Sequence, residues 1–183
     1  MAVPFGFTEQ AREVIEKLEE LTLTFRVWGV NMSGQICVEA FTKDAREEHP
    51  FTTQTFEKYQ EGKITAYLPI HHKKYIEDVV LDYSLEYDEE YYIESESFLH
   101  GGFHCLGLEK STDGLTFTID EAASILLKQV RISCGVVPDD EWGIEWCKSA
   151  IRSTAGEIIT PEDLHAIIAI CIENLGQRHS ILR

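Results

Sequence analysis

The chain has 183 residues, enough for one domain that buries roughly 70% of the surface its unfolded form exposes. Hydrophobic residues make up 44% and charged residues 26%, which excludes a globally disordered chain. The net charge of −16 lies far beyond the magnitude of about 2 to 8 usual for a small domain. It argues against direct binding to nucleic acid or to an anionic membrane, whose phosphates attract lysine and arginine.

The excess charge is local. Residues 77–96 hold nine of the 32 acids and none of the 16 bases. The N-terminus "MAVPFGFTEQAREVIEK" lacks both a basic leader and a long apolar core, so no signal peptide is expected. No apolar run approaches the roughly 18 residues of a membrane span. Five scattered cysteines, Cys37, Cys105, Cys134, Cys147 and Cys171, form no CxxC pair. That pattern points to reduced thiols and a cytoplasmic location.

In chain order, Thr8 caps an expected helix over residues 9–21, with Ala11, Val14, Ile15, Leu18 and Leu21 on its apolar face. "TFRVWGV" and "ICVEAFT" read as strands joined by a hairpin turn at "NMSGQ". A short helix is expected over residues 54–60, then a strand at "ITAYLPI" closed by Pro69 and the loop "HHKK". From Leu81 to Asp88 apolar and polar residues alternate without exception, the two-residue period of a strand. A hairpin follows: strand 78–87, turn 88–90, strand 91–99. Gly101 and Gly102 mark a turn into the strand "HCLGLEK", and "STDG" marks another before "LTFTI".

Helices dominate the remainder. Asp120 is the expected cap of a helix burying Ala123, Leu126, Leu127 and Val130. Pro138 and the acids after it open a second, which aligns Trp142, Trp146 and Ala150. Thr160 and Pro161 start a third, whose stripe is Leu164, Ile167, Ile168, Cys171, Ile172 and Leu175, with Gly176 at its stop. The expected fold is α+β: an antiparallel, meander-like sheet with one N-terminal helix and about three C-terminal helices packed on one face. A single domain over 1–183 is expected, strand-rich over 22–119 and helical over 120–177.

Chemistry is sparsely marked. No P-loop, GxGxxG, HExxH, EF-hand or GxSxG pattern is present. No cofactor is expected. His71, His72, His100 and His104 are the residues that would supply a transition-metal site if their turns converged. Gly101 and Gly102 oppose a helical HxxxH, however, and flanking turn residues are the simpler reading, so no metal is assigned. Cys105 with His104 or His71 as base would make a nucleophile. Neighbours on a strand point to opposite faces, which weakens the Cys105–His104 pairing. The tryptophan helix reads as core, or as the surface of an assembly subunit.

The acidic hairpin is the strongest feature. In a strand reading Asp82, Glu86, Asp88, Glu90, Glu94 and Glu96 share one face, spaced roughly 6.8 Å apart along each strand. Like charges opposed across strands are destabilising. That face is either solvated, protecting an edge, or a docking surface for a basic protein partner. On the second reading Asp82, Glu86, Tyr87, Asp88, Glu89, Glu90, Tyr92, Glu94 and Glu96 make the contacts, the tyrosines adding contact area and hydroxyls. The expected function is a non-enzymatic inhibitor or regulator of a basic, nucleic-acid-binding protein. The alternatives are an enzyme at the histidine loops and a structural subunit.

Overall fold

The computed structural model describes residues 2–30, 34–47, 54–84, 103–106, 112–134 and 140–181. The fold is mixed α+β with mostly antiparallel sheets and some parallel pairs. The chain divides into two compact units, Met1–Thr112 and Asp113–Arg183. The division falls at the expected turn, where Gly114 takes the left-handed conformation with φ 78°.

The first unit opens with β1 (Gly6–Phe7) and α1 (Glu9–Glu16). Thr8 caps α1 as expected, its hydroxyl accepting the Ala11 N–H at 3.2 Å, and Ala11 and Ile15 are buried. The helix is shorter than the 9–21 of the sequence reading. Leu21 is claimed instead by strand pairing with Ile64. The Lys63 ammonium closes the helix by donating to the carbonyls of Ile15, Glu16 and Leu18 at 3.1, 3.2 and 3.0 Å.

Strands β2 (Leu21–Val30), β3 (Ile36–Phe41), β4 (Phe56–Glu61) and β5 (Ile64–Pro69) form a sheet of order β3-β2-β5-β4. The meander holds locally as the hairpins β2–β3 and β4–β5, and a parallel β2–β5 pair joins them. Strand β4 replaces the short helix expected over residues 54–60. Glu57, Lys58 and Gln60 are good helix formers, but Gly62 with φ 58° turns the chain, and Glu61 pairs with Ile64 three residues on. Ladder bonds and the buried Tyr59 override the local propensity.

After β5 the "HHKK" segment is a helical turn rather than a loop: a 3-10 turn (Ile70–His72) and α2 (Lys73–Ile76). A second sheet has the order β1-β6-β7, with β6 (Val80–Tyr83) parallel to β1 and antiparallel to β7 (Phe103–Leu106). Both edges of β6 are therefore occupied. Leu81 is fully buried on it, as the alternation requires. The rest of the expected hairpin, residues 85–99, lies outside the described residues. The core gathers Leu23, Phe25, Ala66, Leu68, Ile76, Leu81 and Phe103, all at most 1% exposed, and Phe5 packs on Phe25 with ring centroids 4.9 Å apart.

The second unit contains β8 (Phe117–Thr118), α3 (Ile119–Cys134), α4 (Asp140–Thr154), β9 (Ile158–Ile159) and α5 (Pro161–Ile181). Thr118, not Asp120, caps α3. Its hydroxyl accepts the Glu121 N–H at 3.3 Å and the Glu121 carboxylate accepts the Thr118 N–H at 2.8 Å. This reciprocal capping box satisfies two otherwise orphaned donors. Asp120 instead pairs with the Lys148 ammonium on α4 at 2.9 Å. Ala123, Leu126, Leu127 and Val130 are buried as expected.

On α4 the buried stripe is Ile144, Cys147 and Ile151, at helical spacing, and Trp146 sits half-buried on its flank. The Trp142 side chain lies outside the described residues. Thr160 caps α5, accepting the Asp163 N–H at 3.2 Å. The α5 stripe buries Leu164, Ile167 and Cys171. The helix runs past Gly176 to Ile181; an interior glycine costs about 1 kcal/mol but does not by itself stop a helix.

Candidate functional site

Three acids of the segment 77–96, Glu77, Asp78 and Asp82, fall within the described residues. Glu77 follows α2 and lies 3.7 Å from the Lys73 ammonium, which also reaches Glu57 at 2.7 Å. The Lys73 ammonium and then the Tyr59 hydroxyl hold the Glu57 carboxyl below its usual range. Asp78 takes the left-handed conformation with φ 66°, and its N–H donates to the Pro4 carbonyl at 2.8 Å. Aspartate tolerates that conformation better than most residues.

Asp82 lies on the central strand β6. The Thr8 hydroxyl donates to one of its carboxylate oxygens at 2.5 Å, and His104 Nε2 lies 3.6 Å from the other. Asp82 and His104 are directly opposed in the β6–β7 register. One carboxylate thus ties the N-cap of α1 to the antiparallel pair. Next along the register, Tyr83 opposes Phe103, their rings edge to face at 5.1 Å. Glu86, Tyr87, Asp88, Glu89, Glu90, Tyr92, Glu94 and Glu96 lie outside the described residues. In sequence they fall between β6 and β7, whose facing ends Tyr83 and Phe103 are register partners.

The histidines divide. His71 and His72 adjoin in the turn after β5, their rings tilted with centroids 4.4 Å apart; His71 is exposed and His72 is buried. His104 sits on β7 beside Asp82, and His100 lies outside the described residues. Among the described residues His104 joins no group with His71 and His72 close enough to hold a metal ion.

Cys105 points to the opposite face of β7 from His104. Burial, with a smaller contribution from the Glu39 carboxylate, pushes its thiol up to about 12. The thiolate that a nucleophile requires is therefore scarce near neutral pH. Cys37, Cys105, Cys147 and Cys171 are free thiols. Burial, and then the neighbouring Cys171, pushes Cys147 up to about 12 as well.

One feature escaped the sequence reading: a buried ion pair between β2 and the edge strand β3 of the four-stranded sheet. Arg26 Nη2 lies 2.9 Å from Glu39 Oε2, the side chains are 9% and 5% exposed, and the two residues are register partners. The guanidinium also lies 5.3 Å from the centre of the Phe41 ring. The available signal was one base in "TFRVWGV" facing one acid in "ICVEAFT" across the expected hairpin.

Among the described residues no helix is long and apolar enough to cross a membrane. No protein-family model, curated protein or solved structure matches the chain.

Proposed function

We propose that this is a non-enzymatic, cytoplasmic binding protein that neutralises or regulates a basic protein partner. Immunity proteins, antitoxins and anti-defence inhibitors act in this general manner, covering a positive, nucleic-acid-binding cleft with an acidic surface. The observation that carries the reading is the concentration of nine acids without a base in residues 77–96, against a near-ordinary balance elsewhere. Concentrated charge steers a basic partner and discriminates against others. The Glu77 and Asp82 carboxylates have partners within the fold. We assign the contacts to Glu86, Asp88, Glu89, Glu90, Glu94 and Glu96, with Tyr87 and Tyr92 as further contacts. The raised Cys105 thiol counts against the cysteine-enzyme alternative. Free thiols in both units fit a reducing compartment.

The test starts with partners captured from the native host at low and at high salt and identified by mass spectrometry. Reversing Glu86, Glu90 and Glu94 to lysine in the full chain should abolish binding of the captured partner and leave Tm equal or higher. Association of the wild-type protein should slow steeply from low to physiological salt. Unchanged binding by the triple variant at low salt would overturn the proposal.

A further inference from the structure

We draw no further inference here: the strongest candidate, the half-buried Thr8–Asp82–His104 side-chain cluster joining the N-cap of α1 to strands β6 and β7, is accounted for as an internal tie of the first unit, and no second observation points to a ligand there.

Discussion

Removing one partner of the Arg26–Glu39 pair breaks a buried ion pair within the β2–β3 ladder, a loss that costs about 3–5 kcal/mol. Glu39→Leu alone should therefore lower stability by that amount in urea melts. The double variant R26M/E39L should recover most of the loss, because two apolar groups of similar volume need no partner. Lys63 acts by a different route. Its ammonium serves three carbonyls at the end of α1, but these regain water when it is removed, so Lys63→Met should cost only about 1 kcal/mol. The thiols give a pH signature. Cys147 rises from 9.0 to about 12 on folding, so the native state holds the proton more tightly than the unfolded chain. Its contribution to stability is complete below pH 9 and is lost as pH rises toward 12. Stability measured between pH 8 and 10 should fall with a shallower slope in Cys147→Ala than in the wild type, whatever the constant offset left by the smaller side chain.

Helix α3 shows how a local pattern is both legible and misassigned. The run Thr118-Ile119-Asp120-Glu121 carries a capping box, and Asp120 at its third position resembles a cap equally well by composition. Geometry decides for Thr118, because Glu121 sits three residues on and reaches back to its N–H. Thr118→Ala should cost about 1 kcal/mol, measured as a shift in denaturant midpoint. Asp120→Asn should cost less, since it loses only a half-exposed ion pair to Lys148. Strands β2, β3, β5 and the start of β6 were legible because their alternation and β-branched content agree with the tertiary structure. Strand β4 was not, since Glu57, Lys58 and Gln60 favour a helix and only pairing with β5 places them in a strand. The length of α1 was misread for the same reason: its apolar period continues to Leu21, and the competing partner Ile64 is distant in sequence.

At the scale of the whole molecule, charge concentration was legible and charge commitment was not. Asp82 reads as one more acid of a run, yet its hydroxyl partner Thr8 lies 74 positions away, beyond any local pattern. What the sheet adds is the attachment. Tyr83 and Phe103 are register partners, so a two-residue Asn-Gly turn can join them directly in place of residues 84–102. That replacement removes six acids and lowers the net charge from −16 to −10, relieving repulsion while keeping Asp82, His104 and the β6–β7 pair. If the segment serves a partner rather than the core, the shortened protein should unfold cooperatively by calorimetry, with Tm equal to or above that of the full chain and partner binding lost. Collapse of the first unit, seen as loss of near-UV circular dichroism, would assign the leucines and tyrosines of the segment to the core. In that outcome the charge-reversal variant, which keeps every apolar side chain, still decides whether the acids bind anything.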